Sequence, residues 1–420
     1  MKKLLAASIL PLLLSGNAMA EDINLSLLVA MNPGEPGYEI LLDQVKTFEE
    51  LYPNVKLELT ASGHDEYFTK LQALTLADQL PDLIFLWPGQ RTSYVINAGK
   101  VMDLMPMVKA DGLEDKILPM ILEPQGEQGE VFLLGNNVNF TSVVYANDAI
   151  LKELGLEYPK NFEEWYAQSQ VIRDSGYFPL VLGNESSWVA QSCLLSPIVG
   201  RVAGNAWVDK AKAGEASFAD APFVDSLQVI ADMRDNGLVP KAMNSLPRSK
   251  AVELFTVGKA AYYLEGAWSI SEFEKIMTPE ELNDVSLHIL PELNGVSAVT
   301  SAVGGTSYGI NKKLEGTEKA KYAWEWVKFY NGFGDQKGVD LAISGGIIPP
   351  LKAVNVNESA PNLIKKLAAL QSTLDGTTYV LDAVLPPKGI EYVNSALQEL
   401  IAGQSQPADI GANYEKIARD

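Results

Sequence analysis

Residues 80–99 read LPDLIFLWPGQRTSYVINAG, and the reading of this stretch decides the fold. Leu83, Ile84, Phe85 and Leu86 form a short unbroken apolar run, the pattern of a parallel strand buried on both faces. Pro81 precedes the run and Trp87-Pro88-Gly89 stops it. Ligands of open α/β sheets lie beyond the carboxyl ends of the strands, so Trp87, Gln90 and Arg91 stand where a ligand would be met. An aromatic plate beside two side chains with several donors suits a polyhydroxylated molecule. A tryptophan that merely closes a hydrophobic core gives the same local sequence, so Trp87 alone does not choose.

Towards the N-terminus, residues 23–29 read as a strand, followed by a loop broken by Pro33, Gly34, Pro36 and Gly37. Leu41, Val45, Phe48 and Leu51 then recur near helical spacing, and Pro53 ends that helix. Val55, Leu57 and Leu59 alternate with Lys56, Glu58 and Thr60, which predicts a half-buried strand. A second helix over 65–79 leads back to the opening stretch. Strand–helix–strand–helix–strand is the pattern of a doubly wound sheet with helices on both faces.

Towards the C-terminus, 142–145 reads as a strand, and Asn161 with Glu164 resembles a capping box opening a helix that bears Phe162, Trp165 and Ile172. A strand at 178–182 ends in Gly183-Asn184-Glu185-Ser186-Ser187-Trp188, and one at 260–264, after a helix over 249–257, ends in Glu265-Gly266-Ala267-Trp268. Three strands thus end in a loop carrying a tryptophan, which is more telling than any one of them. Residues 303–311 form a glycine-rich extended segment, 319–330 an aromatic-rich helix, and 362–374 and 390–402 two further helices, with a Pro386-Pro387 link. Trp165, Trp324 and Trp326 fall inside helical patterns and are expected in cores, while Trp207 has no assignment.

Lys2 and Lys3, an apolar run over 4–14 and Ala18-Met19-Ala20 form a signal peptide, 1–20, expected to be cleaved after Ala20. The run is too short to span a bilayer comfortably. The residue directly after the cleavage point is Glu21 and not cysteine, so no lipid anchor is expected on the mature chain. What remains exceeds the reach of one core, so two domains are expected. Cys193 is the single cysteine, which excludes an intrachain disulfide in an oxidising compartment. The formal charge of −20 argues against nucleic acid or an anionic membrane as partner.

Gly305-Thr306-Ser307-Tyr308-Gly309 matches the nucleophile elbow of serine hydrolases, but both histidines, His64 and His288, precede Ser307, and no helix follows at once. Two histidines and one cysteine far apart supply no metal site, and no cofactor motif follows a strand. His288 lies in the alternating Leu287-His288-Ile289-Leu290, which places it on the solvent face of a strand. A glycosidase needs two carboxylates flanking one bond, and Glu35, Asp65 and Glu265 all lie in candidate loops, so an exported carbohydrate-active enzyme stays open at this point.

Three segments in order carry a resemblance: LPDLIFLW; then NFTSVVYANDAILKELGLEYPKNFEEW with YFPLVLGNESSW; then VGKAAYYLEGAWSI. The chain resembles the carbohydrate-type extracellular solute-binding proteins of ABC importers, the maltose-binding-protein-like family, with Ala146-Asn147-Asp148 in place of the usual N-K-D. The resemblance implies two doubly wound α/β lobes joined by a multi-strand hinge, a periplasmic binding protein type II-like fold with the ligand in the cleft between them. It implies an N-terminal lobe of 21–139 with about 306–335, and a C-terminal lobe of 140–305 with about 336–420. One crossing is expected at 303–311 and another near Asn139, with Gly304 and Gly305 as hinge and cleft residues that let backbone approach the ligand. It implies that Trp268 stacks on a sugar ring, that Trp188 faces it, and that Glu35 takes sugar hydroxyls. Gln90 and Arg91 fall at polar cleft positions, His64 and Asp65 line up with others, and Asn139 stands where the family has a glutamate. The implied function is capture of a mono- or oligosaccharide and its delivery to the transmembrane permease of an ABC importer. The protein would be periplasmic, a monomer, and free of cofactor, metal and membrane insertion. A receptor of the same fold for a polyamine or glycerol phosphate is a further alternative.

Overall fold

The computed structural model describes residues 22–419, apart from 34–35, 127, 335, 345, 353, 355 and 357–359; the signal peptide and Glu35 therefore lie outside the described residues. The first sheet holds β1 (Ile23–Val29), β2 (Val55–Ala61), β3 (Leu83–Leu86) and an edge strand, β10 (Ser307–Ile310), in the order β10-β3-β1-β2. β1 runs parallel to β2 and β3, and β10 antiparallel to β3. The apolar run of β3 is buried at all four residues, as a central strand covered on both faces requires. In β2, Val55 and Leu57 are buried while Lys56 and Glu58 are exposed, following the pleat. The helices Pro36–Leu51 and His64–Leu76 are the crossovers that parallel strands need.

The second sheet holds β5 (Val143–Asn147), β6 (Phe178–Val181), β7 (Ala260–Glu265) and β8 (Val285–His288) in the order β6-β7-β5-β8. Only β6 and β7 are parallel, so this sheet is mixed rather than uniformly parallel. β5 arrives straight from a crossing strand and not through a helical crossover, which leaves it free to pair antiparallel.

Between the lobes, β4 (Val138–Phe140), β9 (Val299–Gly304) and β11 (Gly376–Thr378) form a third sheet, with Asn139 opposite Val303. The segment 303–311, expected as one extended connector, is two strands in two sheets: β9 ends at Gly304 and β10 begins at Ser307. Ser307, the serine of the elbow-like motif, is buried and donates to Asn331 Oδ1 at 2.6 Å.

Buried apolar residues fall into two clusters. One draws on 23–134 and 308–333 and contains Trp324 and Trp326; the other draws on 140–302 and 343–414 and contains Trp165. Trp207 joins the second cluster, 5.6 Å from the Phe218 ring. Arg201, which no sequence pattern singled out, donates to the carbonyls of Leu290, Pro291 and Val299 at 2.6–2.9 Å and pins the start of β9. Asn161 caps its helix by accepting from Glu164 N, but the Glu164 carboxylate accepts from Lys160 N, one residue earlier than a reciprocal box requires. Pro387 is the first residue of the helix Pro387–Ala402 rather than part of a link, since a first-turn proline forfeits no helical hydrogen bond.

His288 corrects the expectation of a solvent-facing residue. Its ring stacks on Tyr158, with centroids 3.7 Å apart and planes 5° apart. Ser286 Oγ donates to Asp148 Oδ1 at 2.6 Å and accepts from His288 Nε2 at 2.9 Å. Burial holds the imidazole down to a pKa of about 4. The unfolded chain takes up this proton near pH 6.5 and the folded chain does not, so stability falls as pH drops through that window, by up to about 3 kcal/mol. Denaturant unfolding at pH 7 and pH 4.5 is expected to show that loss, and His288→Phe, which keeps the stack, is expected to lose distinctly less than the wild type.

Candidate functional site

The carboxyl ends of β3, β6 and β7 point their loops at the gap between the lobes. A cavity of about 600 Å³ opens there, lined by Trp87 and Arg91 from the first lobe and Trp188, Arg248 and Trp268 from the second. Asn139, Val303 and Gly304 of the crossing strands also line it. Its size is that of an ordinary small-molecule site. A second cavity of about 710 Å³ adjoins it and shares Trp87, Pro88, Val303 and Gly304.

Each tryptophan is held by its own local device. Trp87 packs at 5.0–5.6 Å against Tyr67, Phe68 and Phe85, so it is both a core aromatic and a cavity wall. Thr92 Oγ1 donates to Trp87 O at 2.7 Å and closes the loop beneath it. The loop bearing Trp188 hangs on buried Asn184, whose Oδ1 accepts from Ala190 N at 3.0 Å and whose Nδ2 donates to Asn244 Oδ1 at 2.8 Å. Trp268 lays its ring over residue 266, where any Cβ would collide with it, so Gly266 is a steric requirement. The Trp188 and Trp268 rings lie 5.8 Å apart at 51°, forming an angled apolar wall.

Behind that wall sits an ion pair. Glu265, 1% exposed, ends β7 inside the second core. Arg248 Nε donates to its Oε1 and Arg248 Nη2 to its Oε2 at 2.8 Å; the hydroxyls of Tyr263 and, at 2.7 Å, Ser269 donate as well. Burial works against the Arg248 charge, yet the bidentate carboxylate outweighs it and holds the guanidinium above its ordinary value. Glu265 was a candidate acid for glycoside cleavage, and its engagement by Arg248 removes it from that role.

A second pair bridges the lobes. Arg91 Nη2 lies 3.9 Å from Asp382 Oδ2, with the guanidinium 5.8 Å from the Phe68 ring centroid. Burial raises the Asp382 carboxyl above the usual range, and Arg91 opposes the shift. Asp382 belongs to a short helix, Leu381–Val384, that abuts the turn Gly89–Arg91. Gly89 has φ +75°, and a Cβ there would enter the backbone of Ala383, so only glycine permits this approach.

Of the residues expected from the sequence, Trp87, Arg91, Asn139, Trp188, Trp268 and Gly304 line one cavity. Gly305 lines the adjoining one, and the space of its missing side chain is taken by the side-chain oxygens of Asn136 and Asn137. The close approach it allows is therefore within the chain. The side chains of His64, Asp65 and Gln90 lie outside the described residues, with their backbones in the helix His64–Leu76 and the turn Gly89–Arg91. Sequence reasoning missed Arg248, Asp382 and Asn184. A lone glutamate ending the apolar strand of residues 260–265 signals a need for a cation, but nothing local says which.

Two α/β lobes around an interlobe cavity at the ends of their strands define a two-lobed binding protein. The sequence model of the bacterial extracellular solute-binding proteins matches residues 32–337, and the chain belongs to that family. It is 23% identical over 280 residues to the galactooligosaccharide-binding protein of Bacillus subtilis (strain 168), over 66% of this chain and 63% of that one, and so spans under two thirds of that relative. The solved structure of a chitin oligosaccharide binding protein superposes with a TM-score of 0.81 at 21% identity, over 95% of this chain and 98% of that one. A maltose/maltodextrin-binding domain from Bdellovibrio bacteriovorus bound to maltotriose gives 0.71 at 16% identity, over 94% and 99%.

Removing one member of a buried pair strands the other, at a cost of about 3–5 kcal/mol when both are fully buried. Arg248 keeps 30% of its side-chain surface and a second carboxylate, Glu272, 3.5 Å from Nη2, and both discount this. Glu265→Ala is expected to lower unfolding free energy by about 2–3 kcal/mol in urea titrations followed by circular dichroism.

Proposed function

We propose that the protein captures a sugar, a mono- or oligosaccharide, in the interlobe cavity by lobe closure and delivers it to the permease subunits of an ABC importer. The angled pair of Trp188 and Trp268 rings, set beside charges that are already paired, carries this reading. A sugar presents apolar C–H faces that indoles cover, and hydroxyls that amide, carboxylate and guanidinium groups match. Trp87, Arg91, Asn139, Trp188, Trp268 and Gly304 are the ligand-facing residues in this reading, with Glu35, Asp65 and Gln90 proposed from the resemblance.

Charge balance separates the alternatives. Among the described residues, Arg248 is paired with Glu265 and lies 3.5 Å from Glu272, and Arg91 faces Asp382. Glycerol phosphate calls for spare cations, and both arginines at the cavity already face carboxylates; a polyamine calls for carboxylates free of cations, and Asp382 faces Arg91. Glycoside cleavage requires two carboxylates across one bond. Glu265, one of the carboxylates considered for that chemistry, is held by Arg248, which favours binding without turnover. The names of the galactooligosaccharide-, chitin oligosaccharide- and maltodextrin-binding proteins support a sugar as ligand. The proposal includes export to the periplasm with cleavage after Ala20, a monomer without cofactor, and lobes of 21–139 with 306–335 and 140–305 with 336–420. The two separate cores support that division.

A thermal-shift panel of mono- and oligosaccharides, spermidine and glycerol 3-phosphate tests the reading, because a ligand that binds only the folded state raises its melting temperature. A sugar is expected to do so, with no product formed on prolonged incubation. A shift confined to spermidine or glycerol 3-phosphate, or cleavage of an oligosaccharide, overturns it. Trp268→Ala is expected to weaken binding by about 2 kcal/mol or more, roughly 30-fold in Kd by calorimetry, with the ligand-free fold retained by circular dichroism.

A further inference from the structure

Two ion pairs line or back the same cavity, and they differ in one respect. Arg248 and Glu265 are hydrogen-bonded, with Nη2 and Oε2 2.8 Å apart. Arg91 and Asp382 stop at 3.9 Å, beyond hydrogen-bonding reach. Among the described residues, the Arg91 guanidinium has only the Phe68 ring and this carboxylate as neighbours of note. The Asp382 carboxylate has Arg91 and its own backbone amide. The gap is not one of distant backbones, because Gly89 and Ala383 are already in contact beside it. An oxygen about 2.8 Å from each atom fits such a gap.

We propose that a ligand hydroxyl bridges Arg91 of the first lobe and Asp382 of the second, making Asp382 a specificity-determining residue and the bridge the polar link between ligand and closure. This rests on the sugar reading. A hydroxyl is the group that does both jobs at once: it accepts from the guanidinium and donates to the carboxylate. A ligand cation meets Arg91 and a ligand anion meets Asp382, so the pair rejects both. A desolvated carboxylate with few donors gains the most from a new one, and hydrogen bonds to ionised groups are the strong kind. The partners come from opposite lobes, so the bridge forms only in the closed state. It therefore supplies the differential affinity for closed over open that a ligand needs to shift the equilibrium.

The test is calorimetric titration of wild type, Asp382→Asn, Arg91→Met and the double variant with galactobiose, N,N′-diacetylchitobiose and maltotriose, extended to the wider sugar panel. The sugar that binds is then replaced by its series of monodeoxy analogues. Each single variant is expected to weaken binding by about tenfold or more. The double variant is expected to lose about as much as either single one, because the bridge fails once either end is gone. One deoxy analogue is expected to bind wild type poorly yet bind Asp382→Asn no worse than the parent sugar does. The double variant, which leaves neither charge unpaired, is expected to keep a ligand-free melting temperature near that of the wild type, so that its loss of binding is not a loss of folding. Wild-type affinity in either single variant, or independent losses that multiply, overturns the bridge while leaving the receptor reading intact. Failure of every sugar to bind wild type overturns the receptor reading, and the bridge with it.

Discussion

Where β4 and β9 run side by side, the chain passes between two hydrophobic cores that never merge. Their backbone groups have to be paired there, at the floor of the cavity, and the antiparallel register of Asn139 with Val303 does it. The second-lobe side is fastened further: Thr141 N donates to Ser301 O at 3.0 Å, Thr300 Oγ1 to Ser142 O at 2.9 Å, and Arg201 holds Val299. Glycines 304 and 305 stand at the passage to the first lobe. The cavity thus has a floor common to both lobes and walls that belong to one lobe each, which is the geometry lobe closure requires.

The electrostatics of the cavity differ from those of the chain. The whole sequence carries a formal charge of −20, yet both arginines that line the cavity face carboxylates. An acidic surface keeps an exported protein soluble and leaves the ligand undetermined. Local pairing speaks to the ligand, because a desolvated pocket rewards a guest whose polarity complements its own. One pair is closed and positions the wall that carries Trp268; the other faces across the gap between the lobes.

Much of the fold was legible because it follows from short-range rules. The buried run of β3, the alternation of β2 and the cap at Asn161 each depend on a few neighbouring residues. The errors also have local causes. His288 alternates like a surface residue, yet Tyr158, far back in the chain, covers it. Residues 303–311 look like one extended segment, since extended backbone reads the same whichever sheet it joins. Of the site, the tryptophans were visible because each follows a strand end, while Arg248 and Asp382 gave no signal beyond being ordinary charged residues.

The sequence by itself determined the strands and helices of the first sheet and several of the second lobe, that one core could not serve the chain, and that Trp87, Trp188 and Trp268 stand at strand ends. Tertiary structure alone decided that these rings share a cavity, that Glu265 belongs to Arg248, and that Arg91 meets Asp382 from the other lobe. Periodicity and capping act over a turn or two of backbone and leave their mark in residue order. A charge pair or a shared wall depends on where distant segments are brought by the crossing strands, and that placement is a property of the folded chain rather than of any window within it.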